Sequence, residues 1–353
     1  MPAVFLRGQT FGKYRVLSTL GSGGFGTVYL AEDTWIDKKV AIKVPHRQGL
    51  DFGEMLKEPR LLASLSHPNI VTILTVEKQS AATEPAAGRR TAVKKRAVRK
   101  HAVKGRAGTH EIFFIVMEYV PGETLEAMIL RDGALDVPRA LDFTCQMCNA
   151  VAHAHRAGVI HRDLRPGNML VSDKGMLKVT DFGTSRFLEI AAHGTIVIGS
   201  PPYMAPEQFY GKAVFASDIY SIGVTMYQML TGELPYGTPA PADLGRLMRG
   251  ELVSSPRLRN RAIPKAINDI VLRALSPDLT VRYARADELL EEVLAARDIE
   301  PKRRVAVRTA GAPADIQSRL RARETPQARF CWHCSKPLQG RTARCPFCGE
   351  AQE

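Results

Sequence analysis

Asp163, Asn168 and Asp181 stand in two short polar strings set between apolar runs. The strings are His161-Arg162-Asp163-Leu164-Arg165-Pro166-Gly167-Asn168 and Val179-Thr180-Asp181-Phe182-Gly183. A carboxylate can take a proton from a hydroxyl. An amide oxygen and a second carboxylate close by are hard donors suited to a divalent cation. Upstream lies Gly21-Ser22-Gly23-Gly24-Phe25-Gly26, with Val28 two residues on. Without Cβ atoms, such a turn lets backbone N–H groups approach phosphate oxygens. Ala41-Ile42-Lys43 follows and brings a cation.

A second chemistry sits near the other end. Cys331-x-x-Cys334 and Cys345-x-x-Cys348 are two matched pairs, with Gly349 directly after the second. Four thiolates in this spacing can enclose Zn²⁺ tetrahedrally, which makes the metal structural because no ligand position stays open. His333 reads as a bystander, and a redox dithiol is the alternative for either pair. Cys145 and Cys148 share the spacing but fall in a helical stretch with no second pair beside them, so they read as packing residues. His153 and His155 read as packing or capping groups on the same helix.

The elements that must position these residues follow from periodicity. Strands are expected at Tyr14–Leu20, Thr27–Ala31, Val40–Val44, Ile70–Val76 and Ile112–Met117. The glycine turn therefore joins two strands, which separates it from a dinucleotide fold, where a helix follows. A helix is expected at Glu54–Leu65, with Pro59 awkwardly inside it. Further helices are expected at Pro138–Ala157, Ala216–Leu230, Pro264–Leu275 and Ala286–Ala296.

The net charge of +13 is concentrated in two segments. Residues 79–110 hold nine Lys/Arg against Glu84 alone, and residues 297–329 hold nine against four acids. The remainder is near neutral, so the basicity belongs to arms that bind a partner or are merely solvated. Residues 79–110 lack aromatics and read as an inserted loop. Their targets could be acidic proteins, anionic lipid or nucleic acid, without the stacking platforms that single strands favour. No apolar run spans a bilayer, and the first residues lack a secretory signal. A cytoplasmic protein is expected, of unspecified oligomeric state.

The order H-R-D…N…D-F-G, the glycine turn and A-I-K resemble a eukaryotic-type Ser/Thr protein kinase, in the style of the bacterial kinases of that type. The resemblance covers residues 14–297 and implies an α+β, two-lobe fold. A small antiparallel sheet with one helix precedes a helical lobe. A basic linker (298–329) and a zinc ribbon (330–353) would follow. It implies Mg-ATP and protein Ser/Thr substrates.

By the same resemblance, Asp163 orients and deprotonates the acceptor, and Asn168 and Asp181 hold Mg²⁺. Lys43 grips the α/β-phosphates and pairs with Glu58, or with Glu54 one turn earlier. His161 and Arg162 are structural. Arg165 replaces the usual lysine and keeps its charge near the γ-phosphate. Gly21 to Gly26, Val28 and Ala41 enclose the nucleotide. Met117-Glu118-Tyr119-Val120 resembles the hinge, with adenine on backbone groups of Glu118 and Val120. Glu123 or Glu126 would reach the ribose or serve as solvated acids at a helix start.

Gly199-Ser200-Pro201-Pro202-Tyr203-Met204-Ala205-Pro206-Glu207 resembles the end of an activation segment. Glu207 is expected on Arg282, and Asp218 is expected to anchor the catalytic loop. Thr184, Ser185, Thr195 and Ser200 are the available phosphoacceptors, with Thr195 or a neighbour expected against Arg162. Two rival classes remain open: a pseudokinase scaffold, and a nucleic-acid-associated regulator acting through the basic arm and the ribbon.

Overall fold

The computed structural model describes residues 5–23, 26–46, 65–81, 110–182 and 200–299. In the tail it describes 329–330, 333, 337–338, 343–344 and 348–351. Contacts divide the chain into two units, Met1–Glu300 and Pro301–Glu353. The helix expected at Glu54–Leu65, with Glu54, Glu58 and Pro59, lies outside the described residues except for Leu65, which is buried.

The first unit opens with a six-stranded antiparallel sheet of β1 (Thr10–Phe11), β2 (Tyr14–Gly23), β3 (Gly26–Asp33), β4 (Lys38–Pro45), β5 (Ile73–Ala81) and β6 (His110–Glu118). Their spatial order is β1-β2-β3-β4-β6-β5. Alternation sorts the two faces. Val40, Ile42 and Val44 join Tyr14, Val16, Tyr29, Phe114 and Val116 in one apolar cluster. Ala41 joins Met117, Ile115, Phe113 and Val71 in another. Side chains two residues apart on a strand share a face, so Lys43 lies on the Ala41 side.

β5 and β6 are longer than expected. Gln79, Ser80 and Ala81 pair with Ile112, Glu111 and His110. Gln79, Ser80, Ala81 and His110, read from sequence as part of the basic loop, are paired strand, because strand pairing satisfies backbone N–H and C=O groups regardless of side-chain charge. At the other end, Ile70 is not in β5; it makes an isolated parallel bridge to Val179.

After β6 come β7 (Gly122–Thr124), α1 (Leu125–Asp132) and α2 (Val137–Arg156). β8 (Met169–Ser172) pairs with β7 on one side and with β9 (Leu177–Val179) on the other, a three-stranded sheet that the expectation of a helical second lobe missed. Three- and four-residue strands carry too little alternation to be read. Then follow α3 (Phe215–Thr231), α4 (Leu244–Met248), α5 (Pro256–Arg259), α6 (Lys265–Ala274) and α7 (Ala286–Ile299).

The helix boundaries have local causes. Asp136 caps α2 by accepting from the Arg139 N–H at 2.9 Å, and Pro138 sits in its first turn, where a missing N–H costs nothing. Gly232, at φ 78°, ends α3 in the left-handed conformation. α3 is buried almost all round, from Ala216 to Leu230, as its mostly apolar sequence requires. Cys145 and Cys148 are buried in the same core, and burial raises both thiols. No helix among the described residues is long and apolar enough to cross a membrane.

In the second unit, β10 (Arg329–Phe330) pairs with β11 (Pro337–Leu338). Arg344 bridges Ala351, and Gly349 has φ 77°. Cys331, Cys334 and Cys345 lie outside the described residues; Cys348 is described and exposed.

Candidate active site

β8 and β9 set the spacing of the polar strings. Met169 pairs with Val179, and the Thr180 N–H donates to the Asn168 carbonyl at 2.9 Å. Asn168 thus enters one strand as Asp181 leaves its neighbour. The Asn168 side-chain nitrogen donates to the Asp163 carbonyl (2.8 Å) and to Asp163 Oδ2 (3.0 Å). That orientation leaves the amide oxygen, the harder donor, for another ligand. Asp163 Oδ1 accepts from the Ser200 N–H at 3.1 Å. Asp163 is buried, so both its oxygens are fixed.

Across the cleft, Lys43 Nζ lies 2.8 Å from Asp181 Oδ1. Burial pushes the Asp181 carboxyl up, but the Lys43 ammonium outweighs it and holds the group below the usual carboxylate range. Lys43, Met117, Thr180, Asp181 and Phe182 line one cleft together with Ile70, Val71 and Ile115. Beside it, Val28, Ala41, Met117, Val120 and Leu170 form one apolar cluster drawn from both sheets and the segment that links them. A flat apolar ring fits such a cradle, and phosphates fit the cationic end at Lys43.

Two residues in the polar strings hold left-handed backbone: Arg162 at φ 70° and Asp181 at φ 64°. Such a conformation costs an L-residue about 1–2 kcal/mol, so each needs anchors. Asp218 supplies them for the first. Its carboxylate accepts from the N–H groups of His161 (2.8 Å) and Arg162 (2.9 Å), and from His155 Nε2 (2.8 Å). Burial raises Asp218, but His155 and His161 outweigh it and hold it low. His161 Nδ1 accepts from the Asp163 N–H at 3.3 Å, so Nε2 carries the proton donated to the Thr180 carbonyl at 2.9 Å. The His161 ring also packs on Phe182, with centroids 4.5 Å apart.

Glu207 meets Arg282 through Nη1 at 2.7 Å and Nη2 at 3.1 Å, with the Arg282 side chain fully enclosed. Gly21, Ser22 and Gly23 pair with Val28, Thr27 and Gly26, while Gly24 and Phe25 lie outside the described residues. Glu118 Oε1 accepts from Lys178 Nζ and the Thr72 N–H, each at 2.8 Å, and is thus engaged within the protein. Its own N–H donates to the Thr72 carbonyl at 3.0 Å, which confines the expected adenine bond at Glu118 to its carbonyl. Glu123 pairs with Arg131, and Glu126 with Arg165; neither is a lone solvated acid. Thr184, Ser185 and Thr195 lie outside the described residues.

Sequence reasoning missed His155 as a partner of Asp218, sixty-three residues away. It also missed Gln208, whose Nε2 donates to the Arg162 carbonyl at 2.9 Å. No local signal marks either contact.

The family described as "Protein kinase domain" matches residues 14–307. The chain belongs to that family. Among relatives of this kinase chain, Serine/threonine-protein kinase PrkC of Bacillus subtilis is 33% identical over 297 residues, 82% of this chain and 41% of its own length. Serine/threonine-protein kinase pkn2 of Myxococcus xanthus is 33% identical over 303 residues, 81% of this chain and 32% of its own. The chain thus spans less than half of either relative. The crystal structure of Rad53 residues 1–466 in complex with AMP-PNP superposes with a TM-score of 0.61 at 23% identity. The match covers 79% of this chain and 64% of that one, and it shows the kinase fold.

Proposed function

We propose that this chain is an ATP-dependent serine/threonine protein kinase. The observation that carries the proposal is the Asp163 carboxylate, fixed by Asn168 and the Ser200 N–H, opposite the Lys43–Asp181 pair on an apolar cradle. When bound, Mg-ATP supplies the transferable phosphoryl group and a cation that neutralises its charge. Asp163 orients the acceptor hydroxyl and takes its proton. Asn168 and Asp181 offer two oxygen donors, a number that suits Mg²⁺ completed by phosphate oxygens. Lys43 steadies the α/β-phosphates, Arg165 adds charge near the γ-phosphate, and Val28 and Ala41 pack on the adenine. Catalysis is then mainly positioning and charge stabilisation. The names of the relatives favour Ser/Thr as acceptor.

The test is incubation of the full chain with Mg²⁺, labelled ATP and a generic protein acceptor, beside Asp163→Asn. Label on serine or threonine with the wild type alone supports the reading; none in either case sinks it. Mapping that label also decides whether the chain phosphorylates its own activation segment at Thr195 or a neighbour.

The tail fits a structural zinc ribbon. Phe330 pairs with Pro337 around the first cysteine pair, and Arg344 bridges Ala351 around the second. Each pair thus falls, in sequence, between two antiparallel partners, and Gly349 supplies the left-handed residue after Cys348. Elemental analysis should give one zinc per chain, lost in Cys331→Ser/Cys334→Ser; an equal metal content in both would exclude it. Four such thiols suit a reducing compartment, the cytoplasm. Residues 79–110 suit a polyanionic partner, acidic protein or nucleic acid. Binding to heparin or duplex DNA should weaken with salt and vanish when residues 82–109 are deleted.

A further inference from the structure

Arg165 begins the Pro166–Asn168 turn in extended backbone. Its Nη1 donates to Glu126 Oε1 at 3.1 Å, and Glu126 lies in the first turn of α1. Gly167 lies directly beneath the guanidinium. A Cβ at 167 would sit 2.5 Å from Arg165 Nη1, 2.8 Å from Cζ and 3.1 Å from Nη2. The backbone of Gly167 is outside the left-handed region, so conformation does not demand glycine there; space does. The three nearest atoms are the far end of one flexible side chain. A methyl group at 167 therefore leaves the fold intact and moves the guanidinium.

Two further observations bear on this cluster. Arg165 Nε is buried with no hydrogen-bond partner among the described residues. A buried, charged donor left unmet is unfavourable, so packing alone does not account for where it sits. Tyr203 stands nearby: burial pushes its hydroxyl up to about 12, with Glu126 adding to the shift and Arg165 opposing it. Both charges thus lie near Tyr203, three residues after Ser200, whose N–H is bonded to Asp163.

We propose that Glu126 and Gly167 are positioning residues that seat the Arg165 guanidinium on the acceptor side of the cleft, Glu126 by its charge and Gly167 by its missing Cβ. The proposal rests on the kinase reading above. Lysine has no planar fork and would need no such room. The three residues therefore form one unit specific to arginine, and their substitutions should not add independently.

The experiment uses the full chain with Gly167→Ala, Glu126→Gln and Arg165→Lys, and with each of the first two combined with Arg165→Lys. Readouts are steady-state kinetics, thermal melting and the NMR signal of the arginine Nε–H, identified as the one missing from Arg165→Lys. In the arginine background, Gly167→Ala should lower kcat about tenfold, with the KM for ATP within about twofold. Its melting temperature should stay within roughly 2 °C of wild type. In the lysine background the same change should cost about threefold or less. The Arg165 signal should move in both Gly167→Ala and Glu126→Gln. Equal kinetic penalties in the two backgrounds, or an Arg165 signal that stays put in both variants, would overturn the seat. A wild type without turnover would instead overturn the kinase reading, and the NMR comparison would still decide the seat.

Discussion

Asp218→Asn removes one charge from an enclosed group and keeps its shape. Three N–H donors converge on the Asp218 carboxylate: His161 N at 2.8 Å, Arg162 N at 2.9 Å and His155 Nε2 at 2.8 Å. A carboxylate accepts all three, whereas asparagine offers one oxygen and turns an NH₂ group toward at least one donor. Losing a charge-assisted bond costs about 1.5–3 kcal/mol, and a buried donor left unmet costs ~1–3 kcal/mol more. The sum, about 2.5–6 kcal/mol, is a large part of the ~5–15 kcal/mol that stabilises a domain. At roughly 2 °C per kcal/mol for a chain of this size, melting should fall by about 5–12 °C. The functional effect should be larger still. Arg162 is held at φ 70°, and without its anchor it can relax to ordinary backbone and carry Asp163 with it. A shift of about 1 Å at a catalytic group costs on the order of a hundredfold in rate. Calorimetry and labelled-phosphate transfer on the purified variant measure both. Melting within roughly 2 °C of wild type, with turnover nearly unchanged, would refute the anchoring argument.

Lys43→Met removes the ammonium 2.8 Å from Asp181; phosphoryl transfer should fall by about 10²–10³ in the same assay, the scale of a lost preorganised charge. Gly122→Ala places a Cβ 2.0 Å from the Val171 carbonyl oxygen at φ 143°. Backbone cannot yield there, so a denaturant melt should show a loss of about 3 kcal/mol or more. Asp181 and Asp218 are both held below the usual carboxylate range. Depressed groups stabilise fully above their unfolded pKa, about 3.9, and lose that contribution as pH falls through the folded value. Stability measured by denaturant melts should therefore drop on acidification below about pH 4, and drop less in Asp218→Asn.

Polar residues at fixed local spacing were the most legible. Asp163, Asn168 and Asp181 could be picked out because they stand in two short polar strings between apolar runs; the β8–β9 pairing brings Asn168 beside Asp181, and Asn168 bonds Asp163. Lys43 was legible because Val40, Ile42 and Val44 bury one face and leave the other to Ala41 and Lys43. The short β7–β9 sheet was not, since three residues show no period. Long-range polar contacts were also hidden. Lys178 reaches Glu118 across sixty residues, and nothing near either residue announces the pair. Gly167 was passed over because glycine in a loop reads as a turn residue, whereas here it makes room for a neighbour's side chain.

The β5–β6 hairpin has a consequence for how such a chain can change over generations. Its last pair is Ala81 with His110, so the chain leaves and re-enters the sheet at directly facing residues. Whatever joins them closes the same gap. The entropy of closing a loop grows only with the logarithm of its length, so stretching about four residues to about twenty-eight costs ~1.7 kcal/mol. The hairpin end is therefore a port, where sequence can be gained, lost or exchanged with little effect on the cleft that Lys43 lines from the neighbouring strand.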